Sequence, residues 1–234
     1  KFANFHLVAN KDAKKRLIRM GENRKNIFTV GCPSIDALLQ ENEIDTKFFI
    51  KKFGFNPKNK FIIVIQHPVT TEQKSSKKQI LETIKAVKKS KIPSIFVLPN
   101  NDTGHKSIIN AIKKTSIYWT ENLKLSEYKF LLKRASLLLG NSSSGIHEAA
   151  TFKLPVINIG SRQQGRLRSL NVLDVDYNSR EILKNINYCL KNEKFKRKMK
   201  NLKNPYGDGQ SAKHIVQILE NINLNLSTQK INTY

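Results

Sequence analysis

Leu137-Leu138-Leu139-Gly140-Asn141-Ser142-Ser143-Ser144-Gly145-Ile146-His147-Glu148 is followed, after Ala149 to Lys153, by Leu154-Pro155-Val156-Ile157-Asn158-Ile159-Gly160-Ser161-Arg162. An apolar strand here turns through small hydroxylated residues into a short helix starting near Gly145. A second apolar run, Leu154 to Ile159, reads as a neighbouring parallel strand covered on both faces. The turn between them has the chemistry of an anion site. The first turn of a helix leaves N–H groups unpaired and carries partial positive charge, and serine hydroxyls add donors at the same point. A turn further in, Glu148 would repel a phosphate but suits the neutral hydroxyls of a sugar. The same residues also read as a plain serine N-cap with a salt-bridged glutamate, and residue types alone do not separate the two.

Working outward, Phe61 to Gln66 is a β-branched run that fits a central parallel strand, and His67-Pro68 sits at its carboxyl end. Pro93 to Leu98 and Ser116 to Thr120 precede the quoted stretch as strands, and Asn171 to Val175 follows it. Amphipathic helices lie between them at Lys74–Ser90, Ser107–Lys114, Leu125–Ala135 and Ser179–Asn187, the last with a serine cap. The alternation predicts an α/β doubly wound parallel sheet, whose ligands bind beyond the carboxyl ends of the strands. His67, Asn100, the serines and Arg162 all stand at such ends. Asp102 and His105, in a polar loop, are expected to face water. Upstream lie a strand at Phe5–Ala9, where His6 reads as structural, a helix at Lys11–Met20, the breaker cluster Gly31 to Asp36, and a helix from Asp45 to Phe53 closed by Gly54. Lys191 to Asn201 reads as a solvated basic helix, Ser211 to Ile222 as a terminal helix, and the residues after Asn223 as a polar tail.

Of the 234 residues, 33 are lysines and 9 arginines, and the net charge is +24. Such charge attracts polyanions. Yet the lysines are spread over every helix, and no aromatic-interleaved basic platform or helix-turn-helix pattern accompanies them, so no specific nucleic-acid partner is expected. Arg162, Arg166 and Arg168 cluster in the quoted region, where bidentate phosphate contacts would need them. No apolar run has membrane-spanning length, and no membrane partner is expected. Cys32 and Cys189, far apart and without ligand spacing, point to free thiols, a reducing compartment and the cytoplasm. No metal and no cofactor is expected.

The run Gly140 to Gly165 resembles the nucleotide-binding segment of the UDP-N-acetylglucosamine 2-epimerases, above all the hydrolysing ones of sialic-acid and nonulosonate synthesis. It carries their Gly-Asn-Ser-Ser-small-Gly, the glutamate three residues on, and Pro-Val-hydrophobic-Asn-hydrophobic-Gly-small-Arg-Gln. Gln66-His67-Pro68-Val69-Thr70-Thr71, Pro99-Asn100 and Asn204-Pro205-Tyr206-Gly207-Asp208-Gly209 extend the resemblance over most of the chain. It implies the C-terminal half of a two-domain GT-B-type fold. Residues 1–30 would end a truncated N-terminal domain and its connection, 31–205 would form a Rossmann-like UDP-binding domain, and 206–234 a crossing helix and tail. His67 would be the catalytic donor to the departing diphosphate. Ser142, Ser143, Ser144, Gly145 and Arg162 would hold the phosphates, Glu148 the ribose, Asn100 a further part of the ligand, and Tyr128, twenty positions before Glu148, the uracil. The substrate would be a UDP-sugar, released as UDP and a 2-epimer such as N-acetylmannosamine. The proton-moving carboxylates would lie in the absent N-terminal domain, so the chain alone is expected to bind UDP without turnover. The full-length protein is expected to be a homo-oligomer. A UDP-sugar glycosyltransferase of the same architecture, or a non-catalytic nucleotide-sugar module, fits the same pocket. His147 departs from the arginine or glutamine, and Ser144 from the cysteine or glycine, that some relatives carry.

Overall fold

The computed structural model describes residues 2–222. In chain order the elements are β1 (His6–Val8), α1 (Lys11–Arg19), β2 (Ile27–Thr29), α2 (Pro33–Gln40), α3 (Thr46–Phe53), β3 (Ile62–Ile65) and α4 (Ser76–Ser90). They continue with β4 (Ser94–Val97), α5 (His105–Lys113), β5 (Tyr118–Thr120), α6 (Leu125–Arg134), β6 (Leu137–Gly140), α7 (Ser144–His147) and β7 (Val156–Ile159). β8 (Val172–Val175), α8 (Ser179–Lys191), α9 (Glu193–Lys200) and α10 (Ser211–Asn221) complete the chain. Two compact units result: Glu41 to Lys203 form one, and the segments up to Gln40 and from Asn204 onward form the other. The expected tail after Asn223 lies outside the described residues.

The larger unit holds one parallel sheet in the order β5-β4-β3-β6-β7-β8. Counted from β3, this is the Rossmann order 3-2-1-4-5-6, with the direction of winding reversing between β3 and β6. β3 is buried at all four positions, as its unbroken β-branched sequence requires. Alternate residues serve opposite faces. Ile62 and Val64 join Leu137, Leu139, Ile157 and Ile159 in a core shared with α4, α5 and α8. Phe61 instead stacks in an aromatic cluster with Phe49 of α3, at 5.7 Å between ring centroids, and Phe49 meets Phe130 of α6 at 5.2 Å.

Caps explain several boundaries. Asp45 accepts the Phe48 N–H at 2.6 Å, and Gly54 ends α3 in the left-handed region at φ 79°. The expected serine cap of α8 is corrected: Asn178 is the cap and accepts from the amides of Arg180 and Glu181, while the Ser179 N–H donates to Glu82 of α4 at 2.8 Å. An asparagine one residue earlier satisfies two of the free amides at once, which leaves Ser179 inside the helix.

In the smaller unit β1 and β2 pair in parallel beside α1. His6 bonds Glu22 at 2.9 Å. Asp36 of α2 accepts the Ala212 N–H at 2.7 Å and so holds the start of α10.

Candidate functional site

A parallel sheet exposes its ligand crevice where neighbouring crossovers diverge, and here that point is bounded by the exits of β3 and β6. A cavity of about 840 Å³ opens there, entirely within the larger unit. Its wall includes His67, Ser142, Ser143, Ser144 and Arg162, with Pro99 and Asn100 from the exit of β4. Lys113, Glu121, Asn122 and Leu123 complete the lining, with Tyr128, whose hydroxyl is bonded to Ser144. Seven of the nine residues singled out from sequence therefore share this wall: His67, Asn100, Tyr128, the three serines and Arg162.

Gly145 and Glu148 do not. The Gly145 N–H is spent on Ser142 O at 3.2 Å, and a Cβ at Gly145 would stand 2.8 Å from Val156 Cγ1. Its smallness lets α7 lie against β7. Glu148 stands at the end of α7, half-buried, where its carboxylate acts electrostatically on Tyr128 and His147. The helix expected near Gly145 is one turn long, Ser144 to His147, followed by a 3-10 turn from Ala149 to Phe152. So few aligned peptides add little macrodipole. The donors this turn offers are therefore discrete ones: the serine hydroxyls, and the Ser142 and Ser143 amides, which have no backbone acceptor among the described residues.

His67 is buried. Its Nδ1 accepts the Asn100 N–H at 3.3 Å, which places the ring proton on Nε2. Burial, aided by the nearby Arg162 cation and opposed by Asp102, pushes its pKa down from 6.5 to about 4. Near pH 7 the ring is a neutral N–H donor. Arg162 lies with one nitrogen 3.2 Å from Asn141 O and another 3.8 Å from Asp102 Oδ2. Asp102 thus faces Arg162 as well as water, while His105 turns its Nδ1 to the Asp102 carbonyl at 2.9 Å. The Tyr128 hydroxyl is hydrogen-bonded to Ser144 Oγ, and burial, with Glu148 adding to it, raises its pKa. His147 Nε2 lies 3.5 Å from Arg166, and burial lowers its pKa.

Sequence reasoning passed over Asn141 and Gln163. Asn141 is fully buried: its Oδ1 accepts the His67 N–H at 2.7 Å and its Nδ2 donates to His67 O at 2.9 Å. Gln163 Nε2 donates to Asn141 O at 2.7 Å. The available signal was an asparagine wedged between a strand-end glycine and a serine, where an amide side chain can pair with backbone in both directions. Among the described residues no group of three or more His, Cys, Asp or Glu side chains is placed to hold a metal ion, and no helix is long and apolar enough to cross a membrane.

Sheet order and cavity together define a Rossmann-like α/β domain of the GT-B type, with a cavity at the switch point. Residues 1–220 match the family model described as UDP-N-acetylglucosamine 2-epimerase, and the chain belongs to that family. It is 37% identical to the UDP-N,N'-diacetylbacillosamine 2-epimerase (hydrolyzing) of Legionella pneumophila, a match covering all of this chain and 62% of that protein. Against the GDP/UDP-N,N'-diacetylbacillosamine 2-epimerase (hydrolyzing) of Campylobacter jejuni it is 32% identical over 76% of this chain and 48% of that one. The solved structure of UDP-GlcNAc 2-epimerase from Neisseria meningitidis bound to UDP-GlcNAc superposes with a TM-score of 0.79 at 21% identity, covering 93% of this chain and 62% of the other. The chain thus spans less than two thirds of the length of these relatives.

Proposed function

We propose that the cleft holds the UDP of a UDP-2-acetamido sugar, and that the full-length protein is a hydrolysing UDP-N-acetylglucosamine 2-epimerase. The observation that carries this reading is the convergence of a neutral histidine donor, an arginine, a turn of three serines and the Tyr128 bonded to one of them in the wall of a single cavity. In such a reaction a proton leaves C2, the C1–O bond breaks with its electron pair going to UDP, and water adds to the unsaturated sugar to release a free 2-epimer. The charge that grows on the diphosphate is what His67 Nε2–H, Arg162 and the serine hydroxyls would stabilise, and fixed donors do this without reorganising at the moment of reaction. Asn100 flanks the cleft, Gly145 sets the serine turn against β7, and Glu148, outside the cavity wall but close enough to act electrostatically on Tyr128, would reach the ribose only from behind that residue. The hydrolysing outcome is favoured by the names of the Legionella and Campylobacter relatives. Free thiols at Cys32 and Cys189 suit a cytoplasmic enzyme.

Calorimetric titration with UDP, and separately with a DNA oligomer, at low and high salt tests the reading. Saturable UDP binding that loses at least tenfold, about 1.4 kcal/mol, in Arg162→Ala supports it. Absence of UDP binding, or steeply salt-dependent oligomer binding in its place, overturns it. The chain alone is expected to release no free 2-epimer from UDP-N-acetylglucosamine.

A further inference from the structure

A histidine and an arginine can share one diphosphate only if their separation is fixed before the ligand arrives. In this cleft they come from different loops, after β3 and after β7, and neither loop is held by a ladder of its own. Both loops are tied to Asn141. Its side-chain amide takes the His67 N–H at 2.7 Å and gives a proton to the His67 carbonyl at 2.9 Å, so both backbone groups of His67 are clamped. Its carbonyl accepts Arg162 at 3.2 Å and Gln163 at 2.7 Å, using both lone pairs. Its own N–H returns to Ile65 O at 3.0 Å, which anchors the assembly to β3. Asn141 is fully buried and Gln163 nearly so, which leaves these bonds little competition from water.

We propose that Asn141 is a positioning residue: it sets the distance and orientation between His67 and Arg162, and through them the affinity for the diphosphate. Alanine at 141 would free both sides of the His67 peptide. Aspartate would keep the acceptor for the His67 N–H, lose the donor to the His67 carbonyl, and add a carboxylate at the backbone of a histidine whose ring already feels Arg162 and Asp102. The proposal rests on the nucleotide reading of the cleft only in its affinity arm.

The test uses the chain with Asn141→Ala and Asn141→Asp, each checked for folding by circular dichroism. Two quantities are read: UDP affinity by calorimetry, and the His67 imidazole titration by NMR in the ligand-free protein. Affinity is expected to fall in the order wild type, Asn141→Asp, Asn141→Ala, with a loss of at least about tenfold for alanine. The His67 titration is expected to move upward in both variants, by about one pH unit in Asn141→Asp. A purely structural role would lower the melting temperature and leave titration and folded-state affinity alone. A folded Asn141→Ala with wild-type affinity and wild-type titration overturns the proposal. Should alanine not fold, an unmoved His67 titration in Asn141→Asp overturns it equally. If the wild type binds no UDP, the nucleotide reading falls, and the ligand-free titration still decides the role of Asn141.

Discussion

His67 is held unprotonated by its surroundings, and this has a consequence for stability as well as for binding. In the unfolded chain the ring titrates near 6.5, and in the folded chain near 4. Between those values the unfolded state binds the extra proton, so stability rises with pH across the window and is lost as pH falls from 6.5 toward 4. The full effect is of the order of 3 kcal/mol, at about 1.4 kcal/mol per pH unit. Thermal unfolding followed from pH 4 to 7 should therefore show a slope that His67→Gln flattens; an unchanged slope would show that the ring is free to take up the proton in the folded state. Tyr128 poses a different question, because its hydroxyl is bonded to Ser144 while its ring lines the cavity. If the ring stacks on the base, Tyr128→Ala should cost UDP binding about 1–3 kcal/mol, whereas Tyr128→Phe, which keeps the face, should stay within about threefold. Calorimetry on the two variants separates ring from hydroxyl, and equal losses would assign the role to the hydroxyl bond.

At the level of the element, the decisive contact is where β6 leaves the sheet. Gly140 sits at φ 127°, and a Cβ there would stand 2.0 Å from Ile65 O, the carbonyl that pairs with the Asn141 amide. Gly140→Ala should thus break the β3–β6 junction and abolish cooperative folding, since backbone cannot yield as a flexible side chain can. Gly165, at φ 74° with open space around it, is the control: alanine there should cost only about 1 kcal/mol from the left-handed conformation. Comparable melting temperatures for the two variants would refute this account. The sheet was legible for related reasons. Continuous β-branched runs such as Ile62–Ile65 can only be satisfied between two helical layers, and strand ends marked by His67, Asn100 and Ser142 named the crevice before any coordinates did. What sequence left dark was who holds whom. A helix was expected to do the work of binding an anion, but α7 is one turn. Asn141 and Gln163 carry no charge, and although both fall within the quoted motifs, their role exists only through bonds between loops, 74 residues apart for Asn141 and His67 and 22 for Gln163 and Asn141.

For the whole molecule, the charge of +24 is spread along the whole sequence, and exposed lysines so dispersed are screened within about 10 Å at ordinary salt. A ligand sunk in the cleft is governed instead by the few groups in its wall, all of which belong to the unit from Glu41 to Lys203. That unit contains the complete six-stranded sheet, the helices packed on it and both core clusters. A domain with its own closed core should fold independently of the segments that flank it. Residues 41–203 expressed alone should therefore melt cooperatively and bind UDP within about threefold of the 234-residue chain, since no cavity-lining side chain is removed and a factor of three is under 1 kcal/mol. A folded 41–203 that has lost UDP binding would mean that the nucleotide is gripped by residues outside the cavity, and the assignment of the diphosphate to His67, the serine turn and Arg162 would have to be abandoned.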